Sequence, residues 1–164
     1  MSGRKPPFRI IALPASKAGL PPARPGGVSI QAGMGYAPGM DIDLTDFSAD
    51  QQQALFDLLV LAMYADGHLT TAEDEQLQKL LTAMGHTDET ARQREFDASV
   101  TRMRPCIQSI HKAKTEALML AGAFTQRDQQ KQVFAAVEQL MTSDQHVSSW
   151  ENTLLMELRM KFRL

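Results

Sequence analysis

The sequence predicts an all-α fold, a compact helical bundle of about six to seven helices with internal two-fold pseudosymmetry. Three observations predict it. From residue 41 onward no stretch alternates apolar and polar residues as a half-buried strand does, whereas apolar residues recur at helical spacing. Helix start and stop signals bracket those stretches. One motif also occurs twice: Ala65-Asp66-Gly67-His68-Leu69-Thr70-Thr71-Ala72-Glu73 is echoed by Ser143-Asp144-Gln145-His146-Val147-Ser148-Ser149-Trp150-Glu151, a shift of 78 residues. The same register pairs Phe56 with Phe134, Met63 with Met141, Leu77 with Leu155 and Leu80 with Leu158. Two related helix-turn-helix units follow from it.

The chain divides into an arm, residues 1–40, and a helical domain, residues 41–164. The arm holds seven of the eight prolines and seven of the ten glycines, a tail or linker composition. Its one apolar island is Phe8-Arg9-Ile10-Ile11-Ala12-Leu13, suited to a partner groove or, with Arg4, Lys5 and Arg9, to an anionic membrane surface. Pro6, Pro7, Pro14 and Lys17 interrupt any signal-peptide apolar region.

In the domain, Ser48 with Gln51 signals the first start, and Ala49 to about Tyr64 is apolar through Leu55, Phe56, Leu58, Leu59, Val60, Ala62 and Met63. A helix apolar on most sides is a central one. Leu77, Leu80, Leu81 and Met84 stripe the second helix, which Gly85 ends. Asp88 to Arg104 is the third, with a thin buried stripe of Ala91, Phe96 and Val100 or Met103, closed by Pro105. The fourth runs from about Cys106 to Phe124 and presents Ile107, Ile110, Ala117, Leu118 and Ala121, its small residues permitting close packing. Thr125 and Asp128 begin the fifth, with Val133, Phe134, Val137, Leu140 and Met141 toward the core; Leu155, Leu158 and Phe162 mark the last. The methionines are expected as core filler along these stripes. Trp150 is expected to cover the second corner.

Each repeated corner has two readings. In the structural one, Gly67 takes a positive φ that ends a helix, Asp66 bonds amides beyond it, and Thr70 with Glu73, and Ser148 with Glu151, form capping boxes. In the other, the clustered oxygens and imidazoles hold a divalent ion. Placing Gly67 sixth in a calcium loop puts Asp66 fifth, Leu69 eighth and Glu73 twelfth, but leaves Ala62 and Tyr64 at the first and third positions, so a standard EF-hand is not expected. His68 and His146 lack a second His at i+4 and read first as solvent-facing turn residues, with ligation as the alternative.

An apolar helix ending in Ala-Asp-Gly, then His-Leu-Thr-Thr-Ala-Glu, then a leucine-striped helix and Met84-Gly85 resembles the TerB-like domains of the tellurite-resistance protein TerB and of membrane-linked DnaJ-like co-chaperones, over about residues 45–162. The resemblance implies a helical bundle with paired acidic corners that bind a divalent metal, calcium first, through Asp66, Glu73, Asp144 and Glu151, with His68 and His146 as additional candidates. The second copy departs from the pattern, with Gln145 for Gly and Ser143 for Ala. The resemblance also implies a non-enzymatic stress-response role among other proteins near the inner membrane, and leaves a homodimer open.

Composition narrows the alternatives. Arg4, Lys5, Arg9, Lys17 and Arg24 precede the first acid, Asp41, so the domain carries 12 basic against 19 acidic residues, a net of −7. That sign disfavours a phosphate backbone, and no nucleic-acid partner is expected. The longest apolar run, Leu58 to Ala65, is eight residues, far short of a membrane span, and the single Cys106 fits a reducing compartment and a packing role; the chain is expected to be soluble and cytoplasmic. No Gly-rich phosphate loop, Gly-x-Ser-x-Gly or His-Glu-x-x-His occurs, and no enzyme is expected. The alternative function is a metal-independent scaffold or adaptor that uses the acidic helical face and the basic arm.

Overall fold

The computed structural model describes residues 42–66, 70–142 and 148–164, apart from the side chains of residues 65 and 66. All regular structure among them is α-helical: α1 (Ala49–Asp66), α2 (Thr71–Ala83), α3 (Glu89–Met103), α4 (Ile110–Ala121), α5 (Arg127–Met141) and α6 (Ser149–Phe162). The arm expected over residues 1–40 lies outside the described residues.

α1 is the central element that its composition predicts. Leu55, Phe56, Leu58, Leu59, Val60, Leu61, Ala62 and Met63 are all buried, leaving no water-facing stripe across the middle of the helix. Accordingly α1 packs against each of the other five helices. Its start is the reciprocal cap expected from Ser48 and Gln51: Ser48 N–H donates to Gln51 Oε1 (3.0 Å) and Gln51 N–H to Ser48 Oγ (3.2 Å).

α2 lays Leu77, Leu80 and Leu81 on α1, and ends as its glycine predicts. Gly85 has φ +99°, and the His86 and Gly85 amides close back on the carbonyls of Leu81 and Thr82, both at 3.0 Å. α3 starts on Asp88, whose carboxylate accepts from Ala91 N–H, and is the most polar helix of the set. Of its expected stripe only Met103 is buried; Ala91, Phe96 and Val100 are half-buried, and the fully buried residue is Ser99.

Two helix starts and one core face differ from the sequence expectation. α4 begins at Ile110 rather than near Cys106, because Ser109 caps it by accepting from Lys112 N–H, while residues 104–108 form turns after α3. Ile110 is thereby left on the first turn, 67% exposed instead of buried. Its close-packing face is Ala113, Ala117 and Ala121, four residues apart, which lets α4 approach α1 and α6. α5 starts after Gln126 without a side-chain cap, so Thr125 and Asp128 do not serve as its start. In α6 the core face is Leu154, Leu158 and Phe162; Leu155, expected inside, is half-buried, because the buried Trp150 and Glu151 set the phase of the helix.

The methionines divide. Met63, Met103 and Met141 fill the core, whereas Met119, Met156 and Met160 are exposed, contrary to the filler expectation. Cys106 is half-buried against the core, and burial, reinforced by Glu116, pushes its thiol up, which suits packing rather than nucleophilic chemistry. Among the described residues no helix is long and apolar enough to cross a membrane.

Removing the side chain of the fully buried Leu59 leaves a cavity walled by several helices. Leu59→Ala is expected to lower unfolding free energy by about 2–5 kcal/mol in urea titration, against at most about 0.5 kcal/mol for Met156→Ala on the surface.

Candidate functional site

The two corner motifs place their described parts alike. At the first, α1 ends at Asp66 and α2 starts after Thr70; at the second, α6 starts after Ser148. Both helix starts are complete capping boxes. Thr70 Oγ1 accepts from Glu73 N–H (3.2 Å), and Glu73 Oε2 accepts from Thr70 N–H (2.7 Å) and Thr70 Oγ1–H (2.9 Å). Ser148 Oγ accepts from Glu151 N–H (3.2 Å), and Glu151 Oε2 accepts from Ser148 N–H (2.5 Å). Both carboxylates are buried, Glu73 at 4% exposure and Glu151 at 3%. A carboxyl withdrawn from water requires hydrogen bonds, and the N-cap amide supplies one in each case.

Of the four carboxylates expected to form metal sites, these two have described side chains. Asp66 closes α1 with its backbone; its side chain, together with Gly67, His68, Asp144, Gln145 and His146, lies outside the described residues. Among the described residues no three His, Cys, Asp or Glu side chains converge as a cation site. Two buried polar atoms near the boxes have no hydrogen-bond partner among the described residues: Gln76 Oε1, one helical turn after Glu73, and Trp150 Nε1, beside Glu151 at the start of α6. Trp150 is buried just inside α6, as expected, while the corner it was expected to cover is not described.

Two polar clusters beyond the corners carry much of the specificity. Gln51 of α1 and Gln129 of α5, separated by the same 78 residues as the corner motifs, exchange reciprocal bonds: each Nε2 donates to the other's Oε1 at 3.1 Å. Each amide also donates to the backbone before the opposite helix, Gln51 to Ala123 O (2.9 Å) and Gln129 to Asp46 O (2.6 Å). Beside them Gln52 bonds Phe47 O, Gln130 bonds Phe124 O, and the rings of Phe47 and Phe124 meet edge to face with centroids 5.9 Å apart. Phe47 precedes Gln51 by four residues and Phe124 precedes Gln129 by five, so one extra residue lies between ring and glutamine ahead of α5.

The second cluster surrounds Asp57, a buried carboxylate in the middle of α1. Arg102 of α3 grips it with Nη2 on Oδ1 (2.9 Å) and Nε on Oδ2 (3.0 Å); Ser99 Oγ donates to Oδ1 at 2.6 Å and Gln53 Nε2 at 3.2 Å. Arg102 also bonds Glu95 at 2.9 Å. Burial opposes ionisation of Glu95, but hydrogen bonds from Arg102 and Gln53 and the charges of Arg102 and His86 hold its carboxyl below the ordinary value. Sequence reasoning passed over Asp57, although an acid flanked by Phe56 and Leu58 in an otherwise apolar helix must be paired.

Comparison of the chain with protein-family models, with curated proteins and with solved structures returns no match.

Thr70→Ala and Ser148→Ala are each expected to lower unfolding free energy by about 1 kcal/mol in thermal or urea unfolding, and because the helices are distinct the double variant should lose nearly the sum. Glu95 generates a pH prediction. A carboxyl held low in the folded state stabilises the fold above its ordinary value, 4.5, and loses that contribution as pH falls through the lower folded value. Urea midpoints measured from pH 7 to pH 3 should therefore fall below about pH 4.5, and less steeply in Glu95→Gln than in the parent chain.

Proposed function

We propose that residues 41–164 form a TerB-like helical bundle of two pseudosymmetric halves, and that the chain is a non-enzymatic stress-response module of the tellurite-resistance type whose paired acidic corners take up a divalent ion. The observation that carries this reading is the equivalence of the two capping glutamates. Glu73 and Glu151 stand 78 residues apart, are both withdrawn from water, and both hold the N-cap amide of the helix that follows an Asp-x-His corner. The Gln51–Gln129 exchange at the same shift supports the duplicated architecture.

The donor types suit a hard cation. Carboxylate and carboxamide oxygens are what calcium takes, at roughly 2.3–2.6 Å, and capping through one oxygen of a carboxylate is chemically compatible with ligation through the other. Asp66 and Glu73 in one corner and Asp144 and Glu151 in the other are the proposed ligands, with His68 and His146 as additional ones. Gln76 Oε1, buried one turn after Glu73 and without a hydrogen-bond partner among the described residues, has the right chemistry to join the first set.

A second reading, a metal-independent scaffold or adaptor, is favoured by a different observation. Met156 and Met160, one turn apart on α6, are exposed large apolar side chains on one side of that helix, the residue type of an adaptable protein-binding surface.

Calorimetric titration separates the two. With calcium, magnesium, zinc and manganese added in turn, the metal module is expected to give saturable heat with at least one ion, lost or strongly weakened in the Asp66→Asn, Asp144→Asn double variant. Equal and negligible heats in both proteins with all four ions would remove the metal claim and leave the adaptor.

A further inference from the structure

We propose that the Glu95–Met103 segment of α3 is a displaceable cover on α1, held mainly by the Asp57–Arg102 ion pair, and that it undocks as a unit while the rest of the fold stays intact. Its packing is thin for its length. α3 and α5 both have 15 residues, yet α5 buries six of them and α3 buries only Ser99 and Met103, with Phe96 and Val100 half-buried. The apolar contribution that locks α5 in place is largely missing from α3, and a polar clamp stands in its place.

The clamp is built to open. Asp57 is almost completely enclosed, its side chain 7% exposed, but Arg102 remains 39% exposed, so water and salt reach one side of the pair. Breaking the pair with α3 still docked would strand a carboxylate in an apolar setting, which is strongly unfavourable. Departure of the whole Glu95–Met103 segment avoids that state, because it returns both charges to water together. The ion pair therefore favours two states, docked and fully released, over partly opened ones.

The surface beneath is the side of α1 that carries its polar groups. Gln53, Asp57 and Tyr64, at i, i+4 and i+11, share one side of α1, and each interacts with α3: Gln53 with Glu95, Asp57 with Ser99 and Arg102, and Tyr64 with the charges of Asp97 and Arg104. These polar groups share that side with the buried Val60, on a helix whose other sides are mostly leucine and phenylalanine. The α2–α3 connection can stay in place during such a motion, since Arg92 at the start of α3 is tied to Gln78 of α2 and to the carbonyls of His86 and Thr87. The release begins beyond that tie, over the Glu95–Met103 segment.

Native-state hydrogen exchange on the full chain tests this. Amides of residues 95–103 are expected to exchange at least 100-fold faster than the slowest amides of α1 and α5, and faster again when sodium chloride is raised from 0.05 to 1 M. Arg102→Met should accelerate this segment at least tenfold with α5 unchanged, whereas an Asp57→Leu, Arg102→Leu double variant, which replaces the clamp by apolar contact, should slow it selectively. Exchange of residues 95–103 at the same rate as α1 and α5, or a uniform response of all helices to Arg102→Met, would overturn the proposal.

Discussion

A helix with no side that can face water must be surrounded, and this constraint on α1 shapes everything around it. Leu55 to Met63 contains one polar residue, and every apolar residue in it is buried. Burying such a segment stabilises the fold by about 1.5–3 kcal/mol for each large side chain enclosed, and a single helix needs several neighbours to enclose it. α2 supplies leucines, α4 supplies alanines that permit close approach, and α5 and α6 supply valine, leucine and phenylalanine. The side bearing Asp57 receives α3 and its arginine instead. The chemical character of each neighbour thus matches the side of α1 that it covers.

Packing alone does not fix where along α1 the neighbours sit; polar groups do. The Gln51–Gln129 exchange pins the start of α1 to the start of α5 through two bonds that fail if either helix slides by one residue. Arg127 ties the same end of α5 to the carbonyls of Phe162 and Arg163 at the end of α6, and the Lys114–Glu157 ion pair joins α4 to α6. The two buried capping glutamates set where α2 and α6 begin. In the duplicated-halves reading proposed above, the glutamine pair and the capping boxes are the parts that both copies retain, while the extra residue after Phe124 and the difference between Thr70 and Ser148 record their divergence.

Much of this was legible in the residues. The all-helical class, the central place of the first helix, the caps on Ser48, Thr70 and Ser148, and the stop at Gly85 all follow from local rules, because each depends on residues within one turn of one another. Phases and pairings were harder. Ile110 has the right residue type for a core, but its position on the first turn of α4 is decided by Ser109. Leu155 and Leu154 are equally apolar, and which one faces inward depends on how Trp150 and Glu151 seat the helix. The Asp57–Arg102 pair spans 45 residues and the glutamine pair 78, distances over which a single sequence offers residue types but no partners. Of the candidate site, the capping half was legible from spacing; whether the same carboxylates meet an ion depends on how the two corners are arranged, which spacing does not encode.

The central claim, that α1 is enclosed on every side and the remaining helices are placed by that enclosure, is tested most directly by thiol accessibility. With Cys106 replaced by serine, single cysteines at Leu55, Leu58, Val60, Leu61 and Met63 sample α1 around its circumference, and each can be reacted with a thiol reagent under native conditions. The account predicts that none of them reacts rapidly in the folded protein, and that those at Leu55, Leu58 and Met63, away from the side covered by α3, react only at the rate of each variant's global unfolding. Rapid reaction at one or more of them in the folded protein would mean that α1 has a water-facing side, and would contradict it.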